Sequence, residues 1–215
     1  MWSYTSWRTS ATITTPPPFT ISSLPLCPTT SSAGRWLYVP DFYTEYRYIL
    51  GTRGEKPLIC IGVNPSTAAP DALDPTLQSV QRIALANGYD SFLMFNVYAQ
   101  RATRPNDIDA ALNETLHAEN MAAFRYILEA SLPRRPAVWA AWGNIIEMRR
   151  YLPRCVSDMI AIGEEYGAEW FTAGKRSVKG HPHHPLYLRR DTPLDPFDVK
   201  SYIDTMEGRI HYAEL

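Results

Sequence analysis

Short apolar runs without alternation punctuate the chain at Leu58–Val63, Ser91–Val97, Ala137–Trp142 and Ala168–Ala173. Runs of this kind predict strands buried on both faces. Segments of helical period lie between them. Asp74-Pro75 places a capping side chain before a proline at the first helical position, Leu77, Val80, Ile83 and Ala84 then mark one face, and Asn87-Gly88 supplies a stop. Residues 113–131 carry Leu116, Met121, Phe124, Ile127 and Leu128 at helical spacing, and 144–151 and 156–166 predict shorter helices. Tyr46–Leu50 alternates and reads as an edge strand or an entry segment. Strand and helix in alternation predict an α/β fold: a three-layer sandwich with a central, mostly parallel four-stranded sheet.

The pattern is absent before position 35. Thr9–Pro18 and Pro28–Ser32 are rich in Ser, Thr and Pro and lack periodic apolar positions. Residues 1–34 therefore read as a disordered extension, with Trp2, Tyr4 and Trp7 as candidates for docking, and residues 35–215 as a single α/β domain. The chain is 45% hydrophobic and 20% charged, a globular composition. Its net charge of −1 argues against a strongly basic protein that coats nucleic acid, though not against one basic face. No apolar run approaches the roughly 18–20 residues of a membrane span, so no membrane partner is expected. The 3 cysteines, Cys27, Cys60 and Cys155, are widely spaced and form no disulfide or metal pattern, which predicts a reducing, cytoplasmic setting.

In an open parallel sheet, ligands bind beyond the carboxyl ends of the strands. The unusual polar clusters follow the predicted strands: Gly62-Val63-Asn64-Pro65-Ser66, then Asn96-Val97-Tyr98 with Arg101 and Arg104, then Trp142-Gly143-Asn144, then Lys175 to Tyr187. These loops carry Arg101, Arg104, Lys175, Arg176, Lys179, Arg189 and Arg190, a rim suited to an anionic ligand such as phosphate or a nucleic-acid backbone. Gly-rich phosphate loops and Gly-x-Ser-x-Gly elbows are missing, so the ATPase, dinucleotide and α/β-hydrolase readings lose their usual support and no cofactor is expected. The run His181-Pro182-His183-His184-Pro185 reads three ways: a hydrogen-bond donor to a ligand, a structural loop, or a metal site. Prolines between the histidines make convergence on one ion difficult, so no metal is expected.

Together these segments resemble a family catalogued as domain of unknown function 1643, found in bacteria and phages. The resemblance rests on Tyr46-Arg47-Tyr48, Gly62 to Thr67, Asp74-Pro75-Thr76, Asn96 to Ala99 with Arg101-Ala102-Thr103, Ala141-Trp142-Gly143, and Gly180 to Leu188. A more distant likeness is to the uracil-DNA glycosylase superfamily. Members carry a Gly-x-Asn-Pro type motif after the first core strand, an Asn-centred motif after a middle strand and a His-Pro loop after the last. Gly62-Val63-Asn64-Pro65, Asn96 and His181-Pro182 (with His184-Pro185) stand here in that order.

The resemblance implies hydrolysis of an N-glycosidic bond in a nucleotide or nucleic acid. Asn64 would position water, Asn96 would read the base edge, and His181 or His184 would donate to the base. Gly62, Pro65 and Ser66 on the first loop and Asn144 on the third would contact the substrate. Arg101, Arg104 and Lys179 would hold phosphates. Tyr98 or Trp142 would stack on the base, core packing being the alternative for both. Asn64, Asn96 and His181 are expected to line one cleft. Three features depart from the most active relatives: Asn64 stands where they carry Asp, Ser66–Ala69 offers no stacking aromatic, and the histidine loop is one residue longer. The alternatives are a non-catalytic nucleotide- or DNA-binding accessory of the same fold, and a metal-dependent hydrolase built on the histidine loop.

Overall fold

The computed structural model describes residues 36–40, 45–70 and 72–213. The predicted extension, residues 1–34, lies outside them. The elements are β1 (Trp36–Val39), β2 (Ile49–Thr52), β3 (Pro57–Gly62), α1 (Pro75–Ala86), β4 (Ser91–Asn96), α2 (Glu114–Ser131), β5 (Ala137–Ala140), α3 (Leu152–Glu165), β6 (Glu169–Ala173), β7 (Leu194–Pro196) and α4 (Val199–Ala213).

The apolar runs form β3, β4, β5 and β6, and these pair in parallel in the order β4-β3-β5-β6. They are not the whole sheet. The sheet has 7 strands in the order β1-β2-β4-β3-β5-β6-β7, with β1, β2 and β7 joined antiparallel. The expectation of a four-stranded sheet is thus corrected to a mixed sheet. The added strands are 3 or 4 residues long, too short for a periodic signal. Of the two readings of Tyr46–Leu50, the edge strand is corrected: the segment leads into β2, which lies between β1 and β4 with all of its residues buried.

Alternate side chains of the central strands supply two cores, as the pleat requires. Leu58, Cys60, Phe92, Met94 and Trp139 pack with Leu77, Val80 and Ile83 of α1. Ile59, Ile61, Leu93, Phe95 and Val138 pack with Phe124 and Leu128 of α2, Val156 and Met159 of α3, and Tyr202 and Ile203 of α4. Helices therefore cover both faces, giving three layers. Each fully buried large apolar side chain contributes about 1.5–3 kcal/mol, so the two cores account for most of the stabilisation.

Helix α1 forms as its cap predicts: Asp74 accepts from Leu77 N–H at 2.9 Å, with Pro75 at the first turn. Asn113 caps α2 in the same way, accepting from Leu116 N–H at 3.1 Å. The predicted helix over 144–151 is instead a short 3-10 turn at Asn144–Glu147, and α3 begins earlier than expected, at Leu152. No helix among the described residues is long and apolar enough to cross a membrane.

Candidate functional site

The order of the parallel strands reverses direction at β3, which has β4 on one side and β5 on the other. Such a reversal leaves a crevice at the carboxyl ends. A cleft of about 290 Å³ opens there, walled by residues that follow all four parallel strands and by the start of α1. Gly62, Asn64 and Ser66 come from β3 and its loop, Asn96 from the end of β4, Ile145 from the loop after β5, and His184 and Leu186 from the loop after β6. Asp74 and Thr76 come from the start of α1. A larger groove of about 770 Å³ lies at the opposite edge, among Thr52–Pro57, Arg134–Ala137 and Glu169. None of its residues holds a buried polar atom without a partner, whereas the smaller cleft contains two that do. Chemistry points to the smaller one.

Those two residues are Asn96 and Arg47. Asn96 is 1% exposed, and neither its amide oxygen nor its amide nitrogen has a hydrogen-bond partner. An unmade bond at a buried polar group costs about 1–3 kcal/mol, so a side chain with both atoms unpaired is poised for a ligand. Its backbone is fixed, because Asn120 donates to Asn96 O at 2.8 Å. Gly62 makes room for it: a Cβ at that position would meet Asn96 Oδ1 at 3.2 Å and Met94 Cε at 2.7 Å.

Asn64 is oriented by its amide nitrogen, which donates to Ala102 O at 2.9 Å and Pro65 O at 3.1 Å. With the nitrogen committed, Oδ1 is the atom left for a ligand or water. His184 accepts from Leu186 N–H at 3.3 Å through Nδ1, which places the proton of the neutral ring on Nε2 as a donor. Burial, then the neighbouring His183, hold the His184 ring below the usual histidine range, against an opposing pull from Asp74. At pH 7 it is a neutral donor. Ile145 and Leu186, each 38% exposed, give the cleft an apolar lip.

His181 is placed differently. It is 0% exposed and does not line the cleft. Its Nδ1 lies 2.9 Å from the Tyr202 hydroxyl and its Nε2 lies 3.0 Å from Glu147 Oε1. The expectation that Asn64 and His181 share one cavity is corrected: His184 occupies that place. The cause is a double anchor. His181 ties the loop to α4, and Ser79 of α1 donates to Pro185 O at 2.8 Å, so the turn between them lays His184 against the cleft. Gly143, at φ +63°, turns the chain after β5 beside it; a Cβ there would sit 3.7 Å from His184 Cβ.

The other expected residues are spread through distinct settings. Pro65 is buried and shapes the first loop. Tyr98 is buried and donates to Asp109 at 2.6 Å; burial, then that bond, push its phenol far up. Trp142 is buried and donates to Tyr202 OH at 2.9 Å. Neither aromatic lines the cleft, so core packing is the role the geometry gives both. Asn144 is exposed and stands outside the cleft wall. Arg104 pairs with Asp107, Lys179 with Glu147 and Arg189 with Asp191, while Arg101 donates to Ser66 O and Tyr38 OH. Much of the expected cationic rim is thereby spent within the protein. Cys60 and Cys155 are buried free thiols, both pushed up by burial, Cys155 to about 12, which leaves neither as a nucleophile. Among the described residues no group of three or more His, Cys, Asp or Glu side chains could hold a metal ion.

Arg47 and Asp74 are cleft residues that sequence reading did not single out for chemistry. Asp74 was legible only as a helix cap, and Arg47 only as part of Tyr46-Arg47-Tyr48. The sequence model of a family described as "Protein of unknown function (DUF1643)" matches residues 47–186. The chain belongs to the DUF1643 family. The DUF1643 match begins at Arg47 and ends at Leu186, which are also the first and last cleft-lining residues in the chain. The DUF1643 span thus holds the whole cleft wall, while β1, β7 and α4 lie outside it. No curated protein and no solved structure matches the chain.

Proposed function

We propose that this protein binds a nucleobase-bearing ligand in the cleft and hydrolyses its N-glycosidic bond, in the manner of a uracil-DNA-glycosylase-like enzyme. The observation that carries the reading is the Asn96 amide, buried at the cleft with donor and acceptor both unpaired. A primary amide offers one donor and one acceptor side by side, the complement of a nucleobase edge. In this reading Asn96 holds the base and the apolar lip of Ile145 and Leu186 covers its face.

Cleavage of an N-glycoside develops positive charge on the sugar and negative charge on the departing base. His184 Nε2–H is the donor for the base. Asp74, whose Oδ1 caps α1, is the acidic residue on the cleft wall and opposes the sugar charge. As the C–O bond forms and the C–N bond breaks, the proton of the attacking water passes to the departing base anion; Asn64 Oδ1 orients that water but takes no proton from it. That last point favours a second reading, a binding module that retains the pocket without turnover.

The test is to incubate the protein with nucleosides, nucleoside monophosphates and base-modified oligonucleotides, and to follow released base by chromatography alongside binding. Release that is lost in Asn96→Ala and His184→Ala supports the enzyme. Binding lost in Asn96→Ala without any release supports the module. Absence of binding to every nucleobase compound overturns both.

A further inference from the structure

Arg47 is 1% exposed and lines the cleft, yet its charge has no ion-pair partner among the described residues. Its Nη1 donates to Ala68 O at 2.8 Å, and its buried Nε has no partner. No carboxylate among the described residues forms an ion pair with it. A charge of the same sign lies close by: Arg101 Nη2 reaches the same Ala68 carbonyl at 3.5 Å. Burial, then Arg101, lower the Arg47 guanidinium to about 10, with Tyr38 and then Asp74 opposing, so it stays cationic at neutral pH. A buried charge without a counter-charge costs several kcal/mol. Two guanidinium groups meeting at one carbonyl beside a cleft leave that cost standing until an anion arrives.

We infer that Arg47 is the anchor for a phosphate on the ligand, so that the cleft takes a nucleoside monophosphate or a terminal phosphate rather than an uncharged nucleoside. A guanidinium with Nε free presents a planar fork that matches two phosphate oxygens. Of the cations expected to hold phosphates, Arg104 and Lys179 are engaged with Asp107 and Glu147, and Arg101, which does not line the cleft, donates to Ser66 O and Tyr38 OH; Arg47 is the buried cation on the cleft wall. The nucleotide part of this inference rests on the function proposed above; the anion part rests on Arg47 alone.

Calorimetric titration of the full chain separates the two. The probes are inorganic phosphate, the four nucleosides and their 5′-monophosphates. Monophosphates are expected to bind about tenfold or more tightly than nucleosides, the worth of one charge-assisted fork. Arg47→Met should abolish that difference. Because Arg47 also holds Ala68 O, Thr103→Glu serves as a second variant: Thr103 is exposed on the cleft wall, and a carboxylate there should weaken monophosphate binding while sparing nucleosides. Equal affinity for nucleosides and monophosphates, with no phosphate binding, overturns the inference and leaves the nucleobase site standing. Phosphate binding lost in Arg47→Met or Thr103→Glu, without binding of any nucleoside, keeps the anion site and overturns the nucleobase reading.

Discussion

His181 Nδ1 lies 2.9 Å from the Tyr202 hydroxyl, and this bond ties the histidine-rich loop to the last helix. Trp142 Nε1 donates to the same hydroxyl at 2.9 Å, and that hydroxyl also donates to Met206 Sδ at 3.5 Å. His181 Nε2 lies 3.0 Å from Glu147 Oε1, and Glu147 also pairs with Lys179. Burial alone would raise the Glu147 carboxyl, but its two cationic-side partners outweigh that and hold it below the usual range. The network is a clamp on the loop, and the histidine at its centre is a positioning residue.

Removing the clamp should therefore show first as lost stability. Tyr202→Phe leaves His181 and Trp142 with unpaired buried groups and should cost about 1–3 kcal/mol in denaturant unfolding. His181→Ala should cost at least as much. His184→Ala, at the half-buried cleft wall, should leave the unfolding midpoint nearly unchanged while abolishing ligand response. A stable His181→Ala protein that lacks function would place His181 in the chemistry instead.

Asn64→Asp is expected to destabilise the fold by about 1–3 kcal/mol, because a carboxylate cannot donate to Ala102 O and Pro65 O. Urea unfolding of the variant checks this; an unchanged midpoint would show that the two bonds carry little weight.

Gly62→Ala should damage the site more than the fold. Met94 Cε is a flexible end that can move, but the 3.2 Å approach to Asn96 Oδ1 pushes the Asn96 amide out of place. The stability cost should be of the order of 1–3 kcal/mol for overpacking, with ligand affinity falling together with that of Asn96→Ala. Parallel unfolding and binding curves separate the two effects.

The His184 ring sets a pH dependence. Its folded value lies below the unfolded value of 6.5, so the unfolded state binds the proton more readily. Its contribution is intact above 6.5, begins to fall as pH drops through that value, and is gone below the lowered folded value. A melting series from pH 8 to pH 5 should show this decline, and His184→Gln should flatten it. An identical decline in the variant would assign it to other groups.

Much of the central sheet was readable because β3 to β6 are buried on both faces and announce themselves as unbroken apolar runs. The Asp74 cap was equally local, and the helical spacing over 113–131 was too, and so the starts of α1 and α2 were close. The flanking strands were not readable: Trp36–Val39 and Leu194–Pro196 hold their places by pairing with residues far along the chain, such as Trp36 with Thr52 and Phe171 with Pro196.

By itself, the sequence determined that Asn64, Asn96 and the histidine loop follow parallel strands, because strand burial and turn chemistry are encoded within a few residues. Only the tertiary structure decided which side chain of each loop reaches the cleft. His181 and His184 are chemically alike and separated by two residues, and the bonds that send one into the interior and the other to the cleft come from Tyr202 and Ser79. Arg47 shows the same limit. Its residue type was plain from the start, but its burial with no ion-pair partner among the described residues is a property of everything packed around it, and no local pattern carries that.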